Sequence, residues 1–161
     1  MNKTITKNII WSLAVTALLC QFITQYTVAI ISNQLTGFFN LTATTLAILT
    51  SSYYIIYVIM QTIAGYLIDK FGVRFLLSLG MLLSSFSFLI FAFAESYYVA
   101  LISRIILGAG LSMAFVSVIN ISRNNYGANY FSFMIGLAET IAFTGTIICE
   151  FLLFHYLLSY S

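Results

Sequence analysis

The sequence predicts an all-α integral membrane protein with about five transmembrane helices. Of its 161 residues, 61% are hydrophobic and 6% are charged, and proline is absent. A soluble domain of average composition is about 25% charged. The charges are separated by uncharged runs long enough to cross a bilayer, which takes about 20 residues. Continuous runs of this length favour helices over the alternating segments of about ten residues that build a membrane barrel.

The uncharged runs and the charges between them place the helices in order. The stretch from Asn8 to Ile68 holds no charged side chain and is long enough for two spans. Charges at residues 69–74 and at Glu95 bound a third span, and Arg123 lies in a polar stretch before the last one. We therefore predict a single transmembrane domain over residues 1–161, with helices near residues 9–31, 44–68, 75–94, 97–120 and 130–156.

The positive charges predict the orientation of these helices. Lys3 and Lys7 precede the first helix, Lys70 and Arg74 lie between the second and third, and Arg123 lies between the fourth and fifth. The loops on the opposite side carry neither lysine nor arginine. Because cytoplasmic loops collect these residues, we expect a cytoplasmic N terminus and a C terminus outside. The expected location is the bacterial inner (plasma) membrane.

Composition and spacing argue against several classes of function. The net charge of +2 is too small for binding along a phosphate backbone. Cys20 and Cys149 both fall inside predicted helices, without the spacing of metal ligands or of a disulfide. The sequence shows neither a Gly-rich phosphate loop nor a Ser/His/Asp arrangement. We therefore expect no enzymatic activity, no cofactor, no metal and no nucleic acid, and we expect a lipid bilayer as partner.

The strongest motif lies between the second and third helices. Its sequence, GYLIDKFGVR, runs from Gly65 to Arg74 and predicts a very tight cytoplasmic turn. Gly72 can supply a positive φ that other residues resist, and Gly65 would let another helix approach closely. Asp69 and Lys70 form a compact charge cluster with Arg74. The simpler interpretation is an ordinary positively charged cytoplasmic loop with a glycine turn.

The spacing of this segment resembles the signature loop of the major facilitator superfamily. That loop has glycine, three residues, aspartate, a basic residue, one residue, glycine, one residue and arginine, and it lies between the second and third helices. Predicted helix 4 holds Arg104, Gly108 and Gly110, which is similar to the Arg-x-x-x-Gly-x-Gly motif of the same superfamily. The resemblance covers nearly the whole chain. We call residues 65–74 the signature loop and the second set the Arg-Gly motif.

The resemblance implies a transport mechanism, and it implies that the chain lacks some helices of a complete transporter. Members of that superfamily are secondary transporters whose twelve helices form two halves, and the substrate is held between the halves as they rock. Asp69 would be the carboxylate that locks the outward-facing state, with Arg74 as its charge partner. The chain resembles the N-terminal bundle, so the sixth helix and the C-terminal half are expected to be absent. Cys149 and Glu150 stand where drug antiporters have Gly-Pro, which favours a symporter or uniporter.

Polar residues inside the helices give candidate sites of their own. At 100° per residue, Glu139, Thr146 and Glu150 share one face of helix 5. Such a stripe usually faces the bundle interior or a water-filled path. Glu139 is a candidate for coupling to a proton or cation, or is structural, and Glu150 is expected near the outer interface with no special role. Arg104 either reaches the membrane surface or is buried beside the substrate path, and the motif favours burial.

Two further helix faces are candidates for the wall of a substrate path. Gln21 and Gln25 share a face of helix 1, which usually lines the cavity in the resembled superfamily. Tyr54, Tyr57 and Gln61 share a face of helix 2. Interhelical hydrogen bonding and aromatic packing would explain the same residues, and none of them identifies a substrate.

Two functions follow from these observations. The first is transport of a small-molecule substrate by alternating access, as a partial permease completed by a separate C-terminal half or by a second copy. The second is a non-transporting truncated remnant, or a small membrane subunit that requires a partner chain. A cavity needs two facing walls, and five helices supply less than one of them.

Overall fold

The structure is a computed structural model, and it describes residues 3–160. These residues form helices joined by short links, and the described chain contains no strand. The helices, in chain order, are α1 (Lys3–Ile30), α2 (Ser32–Phe39), α3 (Ala43–Phe71), α4 (Val73–Ala92) and α5 (Tyr97–Tyr160). Four stretches are long and apolar enough to span a membrane, namely Ile5–Ile30, Ala43–Phe71, Val73–Ala92 and Tyr97–Leu157. The predicted all-α membrane fold class is confirmed.

Helix α5 is interrupted at a single residue. Gly127 has φ 70° and ψ 175°, which is not helical, and a positive φ is a conformation that glycine adopts readily. The break lies in the polar stretch that the sequence predicts between the fourth and fifth helices. We refer to residues 97–126 and 128–160 as the first and second segments of α5.

Short links set the other helix ends. Helix α3 begins with a capping box, in which the Thr42 hydroxyl accepts a hydrogen bond from Thr45 N and the Thr45 hydroxyl accepts one from Thr42 N. Gly72 is the one residue between α3 and α4, with φ 81° and ψ 155°. The positive φ predicted for this glycine is therefore present. Helix α2 was not predicted, because its sequence, SNQLTGFF, is short and half polar.

The chain divides into two compact units. Unit 1 comprises Met1–Ile30 and Val118–Ser161, and unit 2 comprises Ile31–Ser117. In unit 1, α1 packs on α5 through stacked rings of Phe22 and Phe143, with centroids 4.4 Å apart. Trp11 extends this contact by donating a hydrogen bond from Nε1 to the Ser122 hydroxyl at 3.2 Å. Unit 2 packs α3 and α4 around residues 97–117 of α5, and it contains the signature loop and the Arg-Gly motif.

Candidate functional site

The glycines of the Arg-Gly motif lie where helices of unit 2 come closest. A Cβ built on Gly108 would lie 2.5 Å from the carbonyl oxygen of Tyr53 on α3. A Cβ on Gly110 would lie 2.8 Å from the carbonyl oxygen of Gly80 and 2.7 Å from the hydroxyl of Ser84, both on α4. Only a glycine fits such distances without displacing a backbone. The motif therefore joins α5 to both neighbouring helices.

Arg104 lies one turn before Gly108 and is buried. Its side chain is 2% exposed, so it does not extend to the surface. The guanidinium carbon lies 4.8 Å from the ring centroid of Tyr53, within the range of a cation–π interaction. Its Nε atom is buried and has no hydrogen-bond partner among the described residues. A buried arginine inside a membrane-spanning helix is costly, and such residues usually mark a functional site.

Tyr53 is the residue of this site that the sequence analysis did not select. It is fully buried, and its ring stacks on that of Tyr57, with centroids 5.7 Å apart and planes at 25°. A signal was present, because residues four apart lie on one helix face, and Tyr53 stands four residues before Tyr57. The contact between Arg104 and the ring of Tyr53 joins two different helices. Spacing along the sequence therefore does not reveal it.

The predicted path residues of α3 differ in their exposure. Tyr57 and Gln61 are half-buried, whereas Tyr54 is 41% exposed. Tyr54 contacts Tyr53 edge to face, with centroids 5.2 Å apart. Tyr57 is thus joined to Arg104 through the ring of Tyr53, and Tyr54 lies at the exposed edge of the same cluster, close enough to Arg104 to interact with it electrostatically.

The charged side chains of the signature loop are exposed, whereas Ile68 within it is buried. The side chains of Asp69, Lys70 and Arg74 face outward from unit 2, and Lys70 Nζ lies 5.2 Å from the centroid of the Phe71 ring. Within residues 3–160 no ion pair joins Asp69 to Arg74, so the predicted partnership stays a proposal. All three charged side chains are accessible at the surface of unit 2.

The close helix approach expected at Gly65 is not found. A Cβ built on Gly65 would meet no heavy atom within 4 Å in the described chain. The reason is that the adjacent residues Ala64 and Ile68 form the buried face of α3 at this level, where they pack in one cluster with Leu76 of α4 and Met113 of α5, whereas Gly65 is not part of that cluster. Close packing in unit 2 is carried by Gly80, Gly108 and Gly110 instead.

The remaining predicted residues belong to unit 1. Gln21 is 1% exposed, while Gln25 and Glu139 are half-buried. Thr146 is buried, and its hydroxyl donates to the carbonyl oxygen of Ala142 at 2.8 Å.

Glu150 has a specific partner on α1. Its Oε1 atom accepts a hydrogen bond from the Thr27 hydroxyl at 2.8 Å, and its Oε2 atom is buried without a partner in the described chain. Beside it lies a groove of about 310 Å³ lined by Tyr26, Phe143, Thr146, Ile147 and Glu150. Glu150 is therefore tied to α1 through one of its two carboxylate oxygens. In the part of the chain that the structure describes, no group of three or more His, Cys, Asp or Glu could hold a metal ion.

Long apolar helices, glycine-mediated helix contacts and a buried arginine define an integral membrane protein of the helical-bundle class. The sequence model of the Major Facilitator Superfamily matches residues 13–161, and the chain belongs to this superfamily. The resemblance drawn from the signature loop and the Arg-Gly motif is confirmed.

One curated relative carries a name of the same kind. The chain is 36% identical over 77 residues to the uncharacterized transporter YybO of Bacillus subtilis strain 168. The match covers 48% of this chain and 18% of that protein, so the chain spans less than a fifth of the relative's length. No solved structure matches the chain.

Proposed function

We propose that this chain acts in transmembrane transport of a small solute, as the N-terminal part of a major facilitator permease that works by alternating access. Membership of the superfamily supports a transporter-type function. The observation that carries the proposal is Arg104, which is buried inside a membrane-spanning helix and held against Tyr53. A bundle that needed only to be stable would gain little from a charge at that position.

A transport pathway requires a second group of helices that faces this one across the substrate site. In alternating access, two helical halves rock around a site near the middle of the membrane. The match to a relative of which this chain spans 18% supports a working protein with further helices. We propose that a C-terminal half, on the same or a separate chain, faces the half-buried Tyr57 and Gln61 of unit 2. In unit 1, Gln25 is half-buried and is a separate candidate for contact with the substrate, whereas Gln21 is buried.

The signature loop and Glu139 are given separate roles. Asp69 would hold the outward-facing state by contacting the opposite half, with Arg74 orienting it, and their exposure leaves both side chains accessible for this. Glu139, half-buried in the second segment of α5, would couple transport to a proton or cation, which makes the protein a symporter. The N terminus would lie in the cytoplasm and the C terminus outside, in the bacterial inner membrane.

The decisive experiment is solute uptake into proteoliposomes. The chain is reconstituted alone and together with a C-terminal half encoded beside it, and uptake is measured with a panel of radiolabelled sugars, amino acids and organic acids. We expect uptake of at least one solute by the complete assembly, and its loss in Arg104→Gln with retention in Arg123→Gln, an exposed arginine outside the motif. Equal uptake by empty vesicles and by the complete assembly would refute transport and support a non-transporting subunit.

A further inference from the structure

The hydroxyl of Thr27 lies between two oxygen atoms that belong to different helices. Thr27 Oγ1 is 2.7 Å from the carbonyl oxygen of Ile23 on α1 and 2.8 Å from Oε1 of Glu150 on α5. Both distances are those of good hydrogen bonds. A hydroxyl carries one proton and can also accept. A carbonyl oxygen can only accept, so this one hydroxyl proton cannot fill both bonds.

The geometry therefore allows two arrangements of protons. In the first, Glu150 is ionised and the Thr27 proton is directed to Oε1, so the contact with Ile23 lacks a proton. In the second, Glu150 carries a proton on Oε1 and donates it to Thr27 Oγ1, while Thr27 donates its own proton to Ile23. Only the second arrangement fills both short contacts.

The surroundings of the carboxyl favour the second arrangement. Oε2 is buried without a hydrogen-bond partner in the described chain, and an ionised carboxylate would leave this charged oxygen without a donor. Among residues 3–160 no lysine, arginine or histidine forms an ion pair with Glu150. The titratable group that lines the same groove from α1 is Tyr26, and Cys149 precedes Glu150 on its own helix. Neither is a cation at neutral pH.

We propose that Glu150 and Thr27 form a proton-binding site that links α1 to the second segment of α5. One proton from solution adds to Oε1, the new O–H donates to Thr27 Oγ1, and the Thr27 hydroxyl rotates its own proton toward Ile23. No other bond forms or breaks. The site favours a proton over a larger cation because Oε2 is buried, which leaves a cation at most one of the two carboxylate oxygens as a ligand. The inference does not depend on the proposed transport.

The test is infrared spectroscopy of the full chain in phosphatidylethanolamine and phosphatidylglycerol vesicles over a range of pH, with no solute added. The chain has four acidic side chains, so the C=O band of a protonated carboxyl has few possible sources. We expect one component of this band to be lost in Glu150→Gln and kept in Glu95→Gln, the matched control at an exposed glutamate. We also expect Thr27→Val to move the band and Thr27→Ser to leave it in place.

Two results would overturn the proposal. A band unchanged in Glu150→Gln would assign the protonated carboxyl to another residue. A band that Thr27→Val leaves at its original frequency would show that the hydroxyl takes no part. If Glu150→Gln fails to fold, as judged by circular dichroism, the two Thr27 variants decide, because they keep Glu150 in place.

Discussion

The guanidinium of Arg104 lies over the ring of Tyr53, with Cζ 4.8 Å from the ring centroid. The same tyrosine provides the carbonyl oxygen that Gly108 approaches, one turn further along α5. The close approach of Gly108 to the Tyr53 backbone and the contact of Arg104 with the Tyr53 ring therefore both hold α5 against α3. The glycine of the Arg-Gly motif brings α5 close enough for its arginine to reach an aromatic face.

A double-mutant cycle measures the contact between Arg104 and Tyr53. We expect Tyr53→Leu to lower the free energy of unfolding by about 1–2 kcal/mol more than Tyr53→Phe, because only phenylalanine keeps the ring face. In an Arg104→Met background this difference should shrink. Denaturant unfolding of each purified variant in detergent gives its free energy of unfolding. An undiminished difference in the Arg104→Met background would mean that the ring acts through packing alone.

The glycine contacts predict a difference among alanine substitutions. Gly108→Ala and Gly110→Ala should each destabilise unit 2 by about 1–3 kcal/mol, because the new methyl group meets backbone or a buried hydroxyl. Gly136→Ala is the control, since a Cβ there meets nothing within 4 Å in the described chain. Alanine also favours a helix over glycine by about 1 kcal/mol. Thermal unfolding followed by circular dichroism should rank Gly136→Ala highest, and equal melting temperatures would contradict the described packing.

The proposed locking role of Asp69 predicts a loss of uptake without a loss of protein. Asp69→Asn keeps the shape of the side chain and removes its charge, so we expect membrane insertion to be unchanged and uptake by the complete assembly to fall at least tenfold. Glu95→Gln is the matched control, because Glu95 is also exposed and is predicted to lie on the opposite side of the membrane. Full uptake by Asp69→Asn would remove this residue from the mechanism.

The proposed coupling role of Glu139 predicts a change in pH dependence. In wild-type proteoliposomes, outside acidification should stimulate uptake, because inward proton movement would drive the solute. Glu139→Gln cannot exchange a proton, so its uptake should be independent of the pH gradient. Thr140→Val, which changes the neighbouring exposed position, should keep the wild-type profile. A profile that survives Glu139→Gln would assign coupling to another group.

The predicted orientation can be tested with a membrane-impermeant maleimide. Cys20 and Cys149 are free and are first replaced by serine. A cysteine introduced at Ser96 should then be labelled in intact cells, whereas one at Arg74 should be labelled only after the membrane is permeabilised. Both positions are exposed, so a difference in labelling reports the side of the membrane. The reverse pattern would place the N terminus outside.

The sequence predicted the fold class because hydropathy is a local property. Uncharged runs and the glycine turn at residue 72 can be found without knowing which helices meet. The ring contact between Tyr53 and Arg104 and the hydrogen bond between Thr27 and Glu150 join residues 51 and 123 positions apart, so no spacing rule could predict them. Gly65 is the opposite case, in which the sequence predicted a close helix contact that the structure does not contain. A small residue permits close packing but does not require it.

The turn at Gly72 has a consequence for degradation. Proteases usually cut exposed loop tips, and they must first bind a stretch of extended chain. Between α3 and α4 a single residue is not helical. A protease on that side of the membrane would therefore have to unwind the end of a helix before it could cleave there.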